Sequence, residues 1–291
     1  SAVGSGWICR SAFDLCRHPL CGRSDFAESL ILLKWILLAL GLGFAYWWFV
    51  VKKKRDQEKS AEPKVAPPPL KAKRMVSCSY CDLHLPEEDA IAWDGRYYCC
   101  VDHRDSLSQK GWWGKAQWRA SPNFDERPTQ IKPDLVVIHH ISLPPGQFGR
   151  GHIIDFFQSK LDPRAHPYFE QIAHQKVSSH FLIDRDGQLV QLVSVHKRAW
   201  HAGVSQFFER ERCNDFSIGI ELEGDGESAF TNEQYTALSQ LIALLEKNFP
   251  AMRFAGHSDI APDRKTDPGK SFDWARIQRL ANLSQEQLPF G

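Results

Sequence analysis

The sequence predicts an α/β domain, a mixed β-sheet flanked by helices, over residues 111–291, preceded by one membrane-length helix and a small cysteine/histidine module. Three observations carry this. Apolar runs of strand length interleave with helical patterns in the C-terminal part. Residues 30–51 read LILLKWILLALGLGFAYWWFVV, with Lys34 as the one charge. Residues 75–105 gather four metal-type side chains in two close pairs.

The chain of 291 residues has room for two domains. Its 36 Lys and Arg nearly balance 35 Asp and Glu, so the whole protein is not an electrostatic nucleic-acid binder. Seven of the eight cysteines precede position 101 and only Cys213 falls in the C-terminal part. That part therefore depends on no disulfide, which suits a reducing compartment. The chain opens at Ser1 rather than Met, so its natural start is expected upstream.

Residues 1–29, with Cys9, Cys16 and Cys21 irregularly spaced among arginines, receive no assignment. Residues 30–51 match the roughly 20 apolar residues that a helix needs to cross a bilayer. Lys34 can snorkel to the near interface, and Tyr46, Trp47 and Trp48 suit the opposite one. The competing readings are a buried core helix, with nothing nearby to wrap it, and a cleaved signal peptide, with no small-residue cleavage site after it. Lys52, Lys53, Lys54 and Arg55 follow directly, which puts the C-terminal side in the cytoplasm, although Arg10, Arg17 and Arg23 on the other flank pull against this. Residues 52–74, basic and then proline-rich through Pro67-Pro68-Pro69, read as a semi-extended linker.

In the module, Cys78 and Cys81 form a C-x2-C pair, and Cys99 and His103 a C-x3-H pair. Such a set can build a tetrahedral structural zinc site, and a segment of about 30 residues would draw its folding energy from the metal. Cys100 and His84 are spare candidates, and unliganded reduced cysteines are the alternative. The stretches MVSCSYCDLHLP and YYCCVDH resemble small membrane-anchored bacterial proteins with a treble-clef-like zinc motif. The module's charge is mixed and shows no basic stripe, which argues against nucleic acid as its partner.

In the large domain, Leu135–Ile138 is an apolar run ending in His139-His140, a buried strand delivering side chains at its end. Phe181–Ile183 and Gln188–Val193 flank a turn at Asp186-Gly187. In Ser217–Leu222, Ile218, Ile220 and Leu222 share one face, and Gly219, Glu221 and Glu223 the other, so the carboxylates call for a polar cleft. Thr231 to Asn248 is a helix, opened by a Thr231/Gln234 capping box and carrying the stripe Tyr235, Leu238, Leu241, Ile242, Leu245 and Phe249. Ile153–Leu161 and Phe272–Leu280 are further helices.

Of the twelve histidines, His152, His166, His174 and His196 read as surface or loop residues. His139, at a strand end, and His257, in the loop FAGHSDIAPDRKTDPG that also holds Asp267, stand apart. Two histidines and a carboxylate leave a fourth zinc position open for water, the catalytic pattern, against the alternative of scattered histidines.

Residues 111–280 resemble the AmpD-type N-acetylmuramoyl-L-alanine amidases, bacterial cytosolic enzymes acting on 1,6-anhydromuropeptides. The matching stretches are IHHISLPPGQFG, DPRAHPYF, HFLIDRDGQLVQ, KRAWHAGVS, RERCNDFSIGIELEG, GHSDIAPDRKTDPG and FDWAR. The resemblance implies the mixed α/β fold shared with phage amidases and peptidoglycan recognition proteins. It implies zinc on His139, His257 and Asp267, a catalytic glutamate at Glu221 and a catalytic lysine at Lys265. It implies hydrolysis of the bond between muramic acid and L-alanine in muropeptides. Trp200 and His201 are expected to line the sugar-peptide cleft, and Arg212 matches a position that grips a peptide carboxylate. His140 stands where the family carries asparagine and Lys176 where it carries arginine, and a lysine cannot make a bidentate carboxylate clamp. The rival readings are a periplasmic amidase acting on intact wall and a peptidoglycan-binding module without catalysis.

Overall fold

The computed structural model describes residues 25–60 and 73–290. The expectations for residues 1–24, including Cys9, Cys16 and Cys21, and for Pro67-Pro68-Pro69 lie outside the described residues.

Among the described residues, the N-terminal unit holds one helix, Asp25–Ser60. Within its stretch Leu30–Lys59 an 18-residue window has mean hydropathy 1.9, and the stretch is long and apolar enough to cross a membrane by length and composition; a signal sequence meets the same test. The helix extends beyond the expected 30–51 and takes in residues 52–60, expected as linker. KKKRDQEKS consists mostly of good helix formers, and the first proline is Pro63. At about 1.5 Å per residue this helix exceeds a hydrocarbon core of about 30 Å, so its basic end projects beyond one.

The second unit runs from Ala72 to Gly291 and unites the module with the large domain. The module is two hairpins, Met75–Ser77 with His84–Pro86 and Ile91–Trp93 with Arg96–Tyr98, then a short helix Val101–Asp105. It packs on the large domain. The Arg96 guanidinium lies 4.0 Å from the centre of the Trp118 ring and donates to Ala116 O at 2.6 Å, while Trp113 Nε1 donates to Asp105 O at 3.0 Å.

The large domain is built on a six-stranded mixed sheet in the order Arg253–Gly256, Leu135–Ile141, Ser217–Glu223, Phe181–Ile183, Leu189–Gln191, Gln117–Trp118. All neighbours run parallel except the hairpin pair Phe181–Ile183 and Leu189–Gln191. The two central strands are buried or nearly so along their length, as expected for parallel strands covered on both faces. Val136, Ile138, Ile218, Ile220 and Leu222 pack beneath the helix Asn232–Asn248. Leu135 and Val137 face the other way, toward Ala202, Phe207, Cys213 and Phe216.

The long helix forms where its stripe predicts. Thr231 Oγ1 accepts from Gln234 N at 3.0 Å, and Gln234 Oε1 accepts from Thr231 N at 3.0 Å, closing the capping box. Tyr235, Leu238, Leu241, Ile242 and Leu245 are at most 2% exposed. Leu241→Ala is expected to cost about 2–5 kcal/mol of stability, read as a lowered urea midpoint, because so tight a site cannot collapse around the cavity.

Two short helices depart from expectation. The first spans His152–Phe157 rather than Ile153–Leu161, because the chain leaves through Ser159 at φ +57° with Lys160 N donating back to Asp155 O. The second, Pro167–Ile172, went unforeseen: Pro167 opens it, and His166 caps it by accepting from Tyr168 N through Nδ1 at 3.1 Å. The last helix, Trp274–Ala281, starts after its Asp273 cap.

Candidate metal centre

Strand pairing brings the candidate residues together. Glu221 sits opposite His139 in the parallel pair of central strands, and Gly256 sits opposite Ile138 in the neighbouring pair, so His257 emerges beside His139. All three strands end at this edge, where open parallel sheets place their ligands. Asp267 returns by a loop: Ser258 N donates to Asp267 O at 2.8 Å. Gly256 is required here, since a Cβ would lie 2.7 Å from Pro268 Cδ.

His139 Nδ1, His257 Nδ1 and Asp267 Oδ2 form a triangle with edges of 3.0, 2.9 and 3.1 Å. A tetrahedral zinc ion with ligands at about 2.0–2.1 Å spaces them at about 3.3 Å, so the residues fit such an ion. The donor chemistry agrees. His257 Nε2 lies 3.0 Å from Ala202 O, which can only accept. The ring proton of neutral His257 therefore belongs on Nε2, and Nδ1 is bare toward the centre. Burial holds His139 down to about 4, so its imidazole is neutral at pH 7. Burial alone would raise Asp267, but the two imidazoles set against its Oδ2, His139 first, outweigh that and keep it below the usual carboxylate range.

Glu221 is 8% exposed, and its Oε2 has no partner among the described residues. Burial, with repulsion from Asp267 second, pushes its carboxyl well above the ordinary value, against a smaller opposing pull from Lys265. A strongly perturbed, unpartnered carboxyl in a cleft is the mark of a proton-transfer group. Glu223, on the same face, is spoken for: it accepts from Gly149 N at 2.7 Å and Arg185 N at 3.2 Å.

A cleft of about 350 Å³ opens onto this centre, walled by His140, Phe156, Trp200 and Lys265 among others. Trp200 is half-buried there. His201 lines the cleft beside Trp200, and both its ring nitrogens have protein partners: Nδ1 lies 3.0 Å from His139 Nε2 and Nε2 3.1 Å from Ser217 Oγ. Lys176 is exposed between Gln175 and Val177, which do line the cleft. Arg212 lies outside the lining of this cleft. It lines a separate hollow of about 540 Å³ with Gly203, and its side chain, 70% exposed, pairs with Asp215. Arg264 borders both spaces and donates to Ala202 O at 2.6 Å. Sequence reasoning missed Arg264, Ser217 and His180. His180 is fully buried, receives Gly219 N on Nδ1 at 3.0 Å and meets Lys197 O through Nε2 at 3.0 Å. No local pattern marks these three, whose roles arise from tertiary contacts.

In the module, Cys78, Cys81, Cys99 and His103 converge. Cys78 Sγ lies 3.8 Å and Cys99 Sγ 3.0 Å from His103 Nδ1, and Cys81 Sγ lies 3.9 Å from Cys99 Sγ. Zinc–sulfur bonds of about 2.3 Å set tetrahedral neighbours about 3.8 Å apart, so this set also fits an ion. Burial would raise Cys78, but backbone N–H groups of Cys81, Cys99 and Tyr80 outweigh it and bring the thiol to about 6. Burial and neighbouring thiols push Cys99 up to about 12. His84 instead pairs with Ser77 Oγ at 3.1 Å, and Cys100 stays outside the set.

A mixed sheet with two histidines, an aspartate and a buried glutamate at the ends of its parallel strands defines a metal-dependent hydrolase. Residues 129–270 match the family model "N-acetylmuramoyl-L-alanine amidase". The chain is 53% identical over 178 residues to the 1,6-anhydro-N-acetylmuramyl-L-alanine amidase AmpD of Escherichia coli K12, covering 60% of this chain and 97% of that one. It is 55% identical over 159 residues to AmpD of Haemophilus influenzae, covering 54% and 86%. A crystal structure of a selenomethionine AmpD derivative superposes with a TM-score of 0.58 at 53% identity, covering 59% of this chain and 97% of that one. The chain belongs to the N-acetylmuramoyl-L-alanine amidase family, as an enzyme of the AmpD type.

Proposed function

We propose that this protein hydrolyses the amide bond between 1,6-anhydro-N-acetylmuramic acid and L-alanine in peptidoglycan fragments, using one zinc ion held by His139, His257 and Asp267. The observation that carries the reading is the triangle of 2.9–3.1 Å edges beside a buried glutamate oxygen without a partner. Zinc, when bound there, lowers the pKa of a water toward about 7 and polarises the scissile carbonyl. Glu221 takes a proton from the attacking water and returns it to the alanine nitrogen as the C–N bond breaks, leaving a lactyl carboxylate and a free amine. Its raised pKa suits both halves of that transfer. Lys265, half-buried in the cleft wall, balances the charge that grows on the carbonyl oxygen. Trp200 flanks the sugar, and His140 with Lys176 meets the peptide. Product analysis on anhydro and ordinary muropeptides tests this. Release of peptide from the anhydro substrate is expected, and none at saturating zinc overturns the reading.

The module's four ligands hold a second, structural zinc. Its removal is expected to loosen the seam made by Arg96 and Trp118. Cys78→Ser should bind one zinc equivalent fewer and melt at a lower temperature while keeping its amidase activity; an unchanged metal content refutes the site.

The helix at Leu30–Lys59 anchors the chain in a membrane, with Lys52–Arg55 favouring the cytoplasmic side for the enzyme and a role in cell-wall recycling. A reporter fused after Gly291 and active only in the periplasm would favour instead an enzyme acting on intact wall.

A further inference from the structure

The ligand histidines are oriented in different ways. His257 leans on a backbone carbonyl, whereas His139 leans on a chain of side chains whose protons can be placed by elimination. Cys213 O, a carbonyl, can only accept, so Ser217 Oγ, 2.6 Å away, donates to it. With its proton committed, Ser217 Oγ accepts from His201 Nε2 at 3.1 Å. A neutral His201 protonated on Nε2 has a bare Nδ1. That nitrogen accepts from His139 Nε2 at 3.0 Å. The one proton of His139 then sits on Nε2, and its Nδ1 turns a lone pair toward His257 and Asp267.

We infer that His201, backed by Ser217, is a positioning residue that locks His139 in the tautomer able to ligate the ion. The inference rests on the zinc reading of His139, His257 and Asp267. Gly219 belongs to the same device. It lies between Ser217 and Glu221 on the cleft face of its strand, and a Cβ there would come within 2.5 Å of the His201 ring. The strand gives up a side chain at this point so that an imidazole can lie across it.

Outer partners of metal-bound histidines are worth about 10–100-fold in metal affinity. His201→Phe keeps a ring over Gly219 and removes the acceptor. It is expected to weaken zinc binding about 10–100-fold in a chelator competition, at unchanged folding by circular dichroism. His201→Asn, which restores an acceptor oxygen at the δ position, should recover most of that loss. Ser217→Ala, the milder cut, should weaken zinc binding less than His201→Phe. In the metal-free protein, nitrogen–proton correlation spectra should show His139 protonated on Nε2 in the wild type and redistributed toward Nδ1 in His201→Phe.

A folded His201→Phe with wild-type zinc affinity overturns the inference, as does an Nδ1-protonated His139 in the wild type. Should His201→Phe not fold, Ser217→Ala decides, and no loss of affinity there refutes it. Failure of the wild type to bind zinc at His139 would instead remove the underlying reading, and the tautomer spectrum separates the two cases.

Discussion

Replacing Glu221 by glutamine is expected to lower kcat/KM for the anhydromuropeptide by about 10³-fold while both metals stay bound, since proton transfer by a positioned group contributes about 10²–10⁴-fold. Glutamine keeps the shape and the buried setting but can neither take nor return a proton. The same substitution has a second signature, in stability. Burial raises the folded pKa of Glu221 above its unfolded value of about 4.3. The stability it contributes is therefore present below that unfolded value and is lost as pH climbs toward the folded one. In protein stripped of metal, Glu221→Gln should melt above the wild type at pH 8, with the difference shrinking toward pH 4. Wild-type turnover in the variant would remove Glu221 from the chemistry. A pH-independent difference in melting would contradict the burial argument.

Chelation should abolish amide cleavage, and zinc should restore it. Asp267→Asn is expected to raise the zinc dissociation constant by more than about 100-fold, because loss of a ligand must exceed the 10–100-fold cost of losing a ligand's outer partner. Asp267 is also the one negative charge among the three ligands, and its oxygen meets both histidines, at 2.9 and 3.1 Å. Inductively coupled plasma metal analysis after dialysis against a weak chelator separates the outcomes. Retention of a full complement of zinc by the variant would place the ion elsewhere.

The features legible in the sequence are those with a local cause. The helix Asn232–Asn248 announces itself through its apolar stripe and capping box, and both central strands through apolar runs longer than a turn. His139, His257 and Asp267 could be picked out because each sits where a strand end or a Gly/Pro-rich loop offers it to a cleft. Strands of two or three residues, such as Gln117–Trp118 and Gln206–Phe207, carry too few side chains for a period to show. Arg212, expected at the peptide, lines the hollow beside the cleft, a placement set by tertiary contacts rather than by its sequence neighbours. The bond between His201 and His139 was not legible, since its geometry depends on the missing side chain of Gly219, three-dimensional information that no spacing carries.

The ligands of the proposed ion come from far apart in the chain: His139 stands 118 positions from His257 and 128 from Asp267. A binding-competent set therefore exists only after both ends of the domain have docked on the sheet, and no early local structure can capture the metal. An ion seated there would fasten the Asp267 loop to the strand Leu135–Ile141, and at a thousandfold excess over its dissociation constant it would add about 4 kcal/mol to the folded state. Zinc uptake is thus expected late in maturation, and opening of the loop that carries His257 and Asp267 is expected to release the metal and silence the enzyme together.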